Sequence, residues 1–354
     1  MRGQVDPQSQ MFSYFSPESR VPADHPLRSI KTHTDRVMAE LSGPLEALYS
    51  TTGRPSIPPE QLLKAQLLMA LYSVRSDRLF CQMLDYNILF RWILDMSLSN
   101  AGLDQSNFSR LRERLVSEDL AQRFFDAIVR IAREQDLLSS AHLTVDGTLI
   151  EAWAGAKSFK PTDGDGWGGV DFHGSTRTND THSSTTDPEA MSARKGKGKE
   201  AKLCFGGHAL TENRNGMCLD ICVSSALESE PAAAAAMLKR QGRKHLTPRS
   251  LGADKGYHSK NFVAYPRRKG IAPYITQIEN RTTPGLDART TRHASFWISQ
   301  KKRKLAEEIF GWMTAHGGLR RMRMRGIARV QLQAHLIGAA YNLLRLSRLQ
   351  PATG

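Results

Sequence analysis

His142-Leu-Thr-Val-Asp-Gly-Thr-Leu-Ile-Glu151 is where this chain changes character. Upstream of it, apolar residues recur at helical spacing. From it onward, short β-rich runs begin. The run is partly alternating, as a strand would be, and it carries an acid, Asp146, at its middle. An ionised carboxylate near a strand core is costly unless it is paired or bound to a cation. Asp146 is therefore a candidate for chemistry, although alone it reads equally well as a satisfied structural acid.

Working back from this strand, residues 27–138 read as helical throughout. Leu62, Leu63, Ala65, Leu67, Leu68, Ala70 and Leu71 make a helix that is apolar almost all round, so it belongs at a centre. Pro58 and Pro59 stand just before it, where prolines suit a helix start. Residues 79–96 read as one or two further helices. Phe124, Phe125, Ile128 and Ile131 mark another within 122–134. Residues 1–26 are polar, carry Pro22 and Pro26, and are expected to be a loose arm.

Working forward, residues 157–202 are rich in Gly, Ser, Thr, Asp and Lys with little apolar periodicity, and are expected to be a mobile insertion without a packed core. Residues 203–210 and 217–225 read as a hairpin turning at Asn215-Gly216. An Ala-rich helix over 231–241 follows, then short strands over 251–254 and 271–275, then helices over 299–315 and 328–349. The order predicts an α/β sheet domain over 139–349 behind an all-helical N-terminal domain over 27–138.

Lys plus Arg number 49 against 35 Asp plus Glu, a net charge of +14. A field of that sign attracts polyanions, of which nucleic acid is the commonest. No run approaches the ~18 apolar residues of a membrane span, and the polar N-terminus lacks a signal-peptide centre. A soluble cytoplasmic protein is expected. The 4 cysteines are too few for a disulfide framework. Cys204-x3-His208 and Cys218-x3-Cys222 invite a zinc reading, but buried free thiols on strands are the simpler one.

Two more acids join Asp146. Asp254 ends the strand at 251–254 and is followed by Lys255-Gly256. Glu307 and Glu308 lie on a helix whose core stripe is read as Leu305, Ile309 and Met313, and they fall on its opposite edges. Periodicity does not choose between them, and both read equally as solvated charges paired with Arg303 and Lys304. Carboxylates on strand, strand and helix suit two-metal phosphoryl transfer. There the acids hold two hard cations about 4 Å apart, and Mg²⁺ suits oxygen ligands and phosphate best, with Mn²⁺ as its substitute.

Six segments then resemble, in order, the DDE transposases of bacterial insertion sequences. They are Leu103-Asp-Gln-Ser-Asn-Phe-Ser-Arg-Leu-Arg112, Val145-Asp146-Gly-Thr, Thr181-His-Ser-Ser-Thr-Thr-Asp-Pro-Glu-Ala190, Gly207-His-Ala-Leu-Thr-Glu-Asn-Arg-Asn-Gly216, Ala253-Asp254-Lys-Gly-Tyr257 and Glu307-Glu-Ile-Phe-Gly-Trp312. The resemblance implies a ribonuclease-H-like catalytic domain and a catalytic triad of Asp146, Asp254 and Glu307, the last chosen by its place before Phe-Gly-Trp. It implies cleavage at the ends of an insertion sequence and transfer of the 3′-hydroxyl to target DNA. A homodimer on double-stranded DNA, associated with a bacterial nucleoid, is implied as well. Arg303 matches the family pattern around the glutamate, whereas Gln300 and Thr314 replace its usual Tyr and Lys.

DNA contacts are expected from the basic tail, including Arg303, Arg320 and Arg321, and from Lys255 beside Asp254. Asn107, Arg110 and Arg114 share roughly one helix face and are suitable base readers. A catalytically inactive or domesticated DNA-binding relative is the alternative reading. A plain metal nuclease is a third.

Overall fold

The computed structural model describes residues 14–47, 52, 56–117, 119–162, 177–196, 198–278, 284 and 286–349. Residues 1–13 of the expected arm, and 163–176 and 197 of the expected insertion, lie outside them.

The N-terminal half is helical. Its helices are α1 (Pro17–Arg20), α2 (Pro26–Glu40), α3 (Ser42–Glu46), α4 (Pro59–Leu71), α5 (Asp77–Tyr86), α6 (Ile88–Ile93), α7 (Gln105–Arg112), α8 (Arg114–Ser117) and α9 (Leu120–Glu134). Side-chain caps explain several starts: Ser76 accepts from the N–H of Leu79, Asn87 from that of Phe90, and Asp104 from that of Asn107. α4 is central, as its all-round apolar pattern requires, and even its Lys64 is buried. That ammonium is tied to Asp35 at 2.6 Å and Asp95 at 2.5 Å, which offsets part of its desolvation.

The sheet begins at β1 (His142–Glu151). Short strands β2 (Phe159–Pro161), β3 (His182–Ser184) and β4 (Met191–Ala193) precede β5 (Lys202–Glu212) and β6 (Cys218–Ser225). After α10 (Glu230–Arg243) come β7 (Ser250–Ala253), α11 (Lys260–Arg268) and β8 (Ala272–Ile275). β6, β5 and β1 are antiparallel neighbours, and β7 and β8 run parallel to β1 in turn. β4 extends the β5 edge that β6 leaves free. Three antiparallel strands followed by two parallel ones, with helices on both faces, is the ribonuclease-H-like arrangement. Helices α12 (Ala288–Thr291), α13 (Ala294–Lys302), α14 (Lys304–Ala315) and α15 (Ile327–Leu349) complete the chain.

The single helix expected over 299–315 is two helices meeting at Arg303. The polar stretch 157–202 also differs from expectation where it is described. β2 and β3 pair as a small hairpin, and β4 joins the main sheet. Within it Asp187 is buried and accepts from the N–H of Gly326 at 3.1 Å, while Glu189 accepts from that of Ile327 at 2.9 Å. These acids cap the start of α15, where free N–H groups and the helix dipole favour negative charge. Polar composition thus conceals a structural task that hydrophobic periodicity cannot report.

Two apolar clusters sit on opposite faces of the sheet. One combines Leu143, Val145, Leu251 and Ala253 with α10 and α11. The other joins Ile150, Phe205 and Ile221 to α15 and to the N-terminal helices. α15 packs on α9, α4, α2 and β6 together, so helical region and sheet share one core. The change of pattern near residue 140 marks a change of secondary structure and no break in packing.

Candidate active site

Strand register brings two of the acids together. Along β1 and β7, His142 stands opposite Ser250, Leu143 opposite Leu251 and Thr144 opposite Gly252. Carried two residues further, the same offset sets Asp146 level with Asp254. Side chains alternate along a strand. Leu143 and Val145 enter the α10 cluster, so Asp146 faces the other way with Ile150. Each carboxylate is also held locally. Asp146 Oδ1 accepts from the N–H of Gly147 at 2.9 Å, and Asp254 Oδ1 from that of Gly256 at 2.8 Å.

Glu307 arrives on α14, which packs across β1 and β5. It buries Ala306, Ile309, Phe310 and Met313, with Leu305 only partly covered. Glu307 and Asp146 line one open cleft of ≈ 490 Å³ with Lys195, Gly311, Thr314 and Arg320. Glu308 points elsewhere and pairs with Arg345 at 3.3 Å. The two acids that periodicity left level therefore stand in different surroundings.

The electrostatics bind the group together. Burial pushes the Asp146 carboxyl above its ordinary value, and the negative charges of Asp254 and Glu307 push the same way. The N–H of Gly147 and the Arg303 guanidinium oppose them. Arg303 sits at the α13–α14 junction, and its buried Nε has no hydrogen-bond partner. The alternative Arg303–Glu307 pair is not formed among the described residues, and the Arg303 charge acts on Asp146.

Glu230, the first residue of α10, was missed by sequence reasoning. Burial and the charges of Asp254 and Asp146 raise its carboxyl. Its sequence signal, Ser229-Glu230-Pro231, announces only a helix start. No local pattern shows that this helix start opens onto β1 and β7.

Among the described residues, no three acidic, histidine or thiol groups stand close enough together to ligate one ion. The donors are of the kind a hard divalent cation takes, carboxylate oxygens with excess negative charge, but they stand apart in this structure. Tyr257 is fully buried, its hydroxyl has no hydrogen-bond partner, and the charges of Glu230, Asp146 and Asp254 act on it.

The residues expected to meet DNA separate into groups. Lys255 is exposed beside Asp254. Arg320 and Arg321 lie on a loop laid along the end of β1, where the Glu151 N–H donates to Arg320 O at 3.0 Å and Met322 N–H to Glu151 O at 2.9 Å. The Arg321 and Arg323 guanidinium groups stand over exposed Trp153 at 5.4 and 5.7 Å. Asn107 and Arg110 are exposed on α7, joined at 3.0 Å, and α7 packs chiefly on α4, α5 and α8. α7 ends at Arg112, which is paired with Asp77 at 2.8 Å, so Arg114 opens the next helix rather than extending the same face.

The two departures from the transposase pattern have structural partners. Gln300 Oε1 accepts from the Thr276 hydroxyl at 2.7 Å, and its amide donates to Tyr274 O at 2.8 Å. Thr314 donates to Phe310 O at 2.6 Å. The four cysteines are free thiols. Burial raises Cys204 to about 11 and lowers His208 to about 4, which suits neutral core groups.

Residues 15–114 match the family described as "Transposase domain (DUF772)", and residues 171–343 match "Transposase DDE domain". No curated protein matches the chain. Among solved structures, the piggyBac transposase synaptic complex with hairpin DNA is 11% identical, with 93% of this chain and 75% of that one covered, at a TM-score of 0.38. The Mos1 transposase paired-end complex with left transposon end is 10% identical, with 90% and 85% covered, at a TM-score of 0.21. Superpositions this loose add nothing to the strand order described above.

Proposed function

The chain belongs to the DDE transposases of insertion sequences, and from that membership and the geometry of its acids we propose that it cuts and joins DNA at Asp146, Asp254 and Glu307. The observation that carries this reading is the register of β1 and β7. Carried two residues past the Thr144–Gly252 pair, that offset leads Asp146 towards Asp254, whose charge acts on it, and Glu307 lines the cleft that Asp146 lines. The reaction is hydrolysis of a phosphodiester at each end of an element, followed by attack of the freed 3′-hydroxyl on target DNA. When bound, two Mg²⁺ ions, or Mn²⁺ in their place, would supply activation of the attacking oxygen and charge stabilisation of the leaving one.

The chain's own residues do the rest. Asp146, Asp254 and Glu307 would hold the cations. Arg303 offsets their mutual repulsion before any cation is bound. Lys195 and Arg320 line the same cleft and suit the scissile phosphate. Lys255, Arg321 and Arg323 extend the positive surface for duplex backbone, and Asn107 with Arg110 forms a separate reading surface on α7. Two element ends joined in one complex call for a dimer on DNA.

Cleavage and strand transfer on DNA carrying the element ends test this reading. Asp146→Ala is expected to lose activity by at least about a hundredfold, since a catalytic metal supplies several kcal/mol of transition-state stabilisation. Undiminished cleavage by that variant would overturn the assignment. Firm binding of ends by wild type without any cleavage would favour the inactive DNA-binding relative, a reading in line with acids that stand apart in this structure.

A further inference from the structure

We propose that the cleft between the α4–α5 turn, α7 and the loop joining α14 to α15 binds DNA backbone, and that it carries a strand of the element end from the α7 surface to the catalytic cleft. The inference rests on the transposase reading above and extends it to Arg75 and Arg78, which no sequence pattern singled out.

Three observations carry it. The first is the charge. Arg75, Arg78, Arg321 and Arg323 line this opening of ≈ 330 Å³. All are exposed, and no ion pair to any of them is found among the described residues. The acid in the lining, Asp77, is already taken. Its two oxygens accept from Arg112 Nη1 at 2.8 and 2.9 Å, and one of them accepts from the Ser109 hydroxyl at 2.7 Å. The uncompensated cations are guanidinium forks, which grip phosphate oxygens in pairs.

The second observation is a pair of orphaned atoms. Arg112 Nε and Gln333 Oε1 belong to the same lining, and both are buried with no hydrogen-bond partner among the described residues. Buried polar groups are nearly always satisfied, and an orphan marks an absent water or ligand. The Nε of Arg112 is a donor left over once Asp77 is bound, and a phosphate oxygen or a water bridging to it can accept.

The third is position. Arg320 lines the catalytic cleft, and Arg321, the next residue, lines this one. Their segment pairs with the end of β1 through Glu151 and Arg321, and in extended chain neighbouring side chains leave on opposite sides. Trp153 holds the Arg321 and Arg323 guanidinium groups over its ring at 5.4 and 5.7 Å. From the other side Gln105 lines the cleft, two residues before Asn107 on α7. The cleft thus adjoins both the α7 surface and the catalytic cleft. A strand held there fixes the distance between the sequence that is read and the bond that is cut.

The test uses full-length protein with DNA carrying the element ends and, separately, random duplex. Binding is measured over a range of salt for wild type, the double variant Arg75→Ala with Arg78→Ala, and Arg268→Ala. Arg268 is exposed on α11, outside this lining, and controls for net charge. The double variant is expected to bind about tenfold or more weakly, by the same factor on ends and on random duplex, because phosphate contacts carry no sequence information. Its plot of log affinity against log salt should be shallower by about 2, one for each lost phosphate contact. Phosphate ethylation between the read sequence and the cut bond should impair wild-type binding and add nothing to the loss in the double variant. Melting temperatures should show every variant folded. Unchanged affinity and salt slope in the double variant would overturn this inference and leave the transposase reading standing. Loss confined to the ends would make these arginines base readers, and an equal loss in Arg268→Ala would make net charge the cause; either result overturns it too. Absence of DNA binding by wild type would overturn the transposase reading itself, and this inference with it.

Discussion

At the scale of single residues, burial decides which groups are charged. His142 and His208 are lowered from 6.5 to about 4, and His335 from 6.5 to about 3, in each case first by burial. His335 also feels the positive charges of Arg240 and Lys244. A histidine whose folded value is depressed takes up its proton more readily in the unfolded chain. Stability is then full above the unfolded value near 6.5 and is lost as pH falls towards the folded values. Melting temperature is expected to drop steadily between pH 6.5 and 4, and His335→Gln should flatten part of that slope. An unchanged slope in this variant would show that His335 is not held neutral by its surroundings. The same desolvation acts on Asp146 and Glu230 with the opposite sign, because the charged form of an acid is the one that burial disfavours.

At the scale of elements, several family segments turn out to have structural tasks. The Asn213-Arg-Asn-Gly216 turn is bound from every side. The Asn213 amide donates to the Thr144 hydroxyl at 2.7 Å, the Asn215 amide donates to Leu137 O at 2.8 Å, and the Tyr341 hydroxyl donates to Gly216 O at 3.0 Å. Gly216 takes a φ of 68°, which a side chain would strain. The 181–190 string caps α15 through Asp187 and Glu189. Asp187→Ala is expected to cost about 1 kcal/mol by urea unfolding, the usual worth of such a cap. A loss well under that would mean that Glu189 alone suffices. α7 is different, because the Asn107 and Arg110 side chains are exposed and bond to each other. Arg110→Ala should weaken binding to element ends more than to random duplex. Equal loss on both would leave α7 as a backbone contact.

At the scale of the whole molecule, α15 makes helical region and sheet one cooperative body. Leu336, Leu343 and Leu346 on it are fully buried in the core that both halves share. Leu343→Ala is expected to cost about 2–5 kcal/mol, and far-ultraviolet and tryptophan signals should lose structure together. Two separated transitions would show instead that the halves unfold independently. The shared core also bears on catalysis. α14 and α15 pack on one another while α14 spans β1, so the helix that carries Glu307 is anchored to both layers.

How much of this was legible beforehand depends on the range of the interaction. Apolar periodicity foretold α4 and α9, and the Asn215-Gly216 turn foretold the β5–β6 hairpin, because both signals are written within a few residues. Asp146 and Asp254 were visible as acids at strand positions. Their level placement was not, since it depends on the register of two strands paired across 108 residues of chain. Glu307 and Glu308 could not be told apart by helix geometry, because the surroundings of each lie on other elements. Glu230 was hidden altogether, for no local pattern distinguishes a helix start that opens onto carboxylates from one that faces water. The break at Arg303 and the capping role of Asp187 and Glu189 were hidden in the same way. The sequence by itself determined the elements, the charge, the strand acids and, through its family segments, the kind of chemistry. Only the tertiary structure decided which side chains share a space, because burial and electrostatic repulsion belong to neighbours that chain order does not reveal.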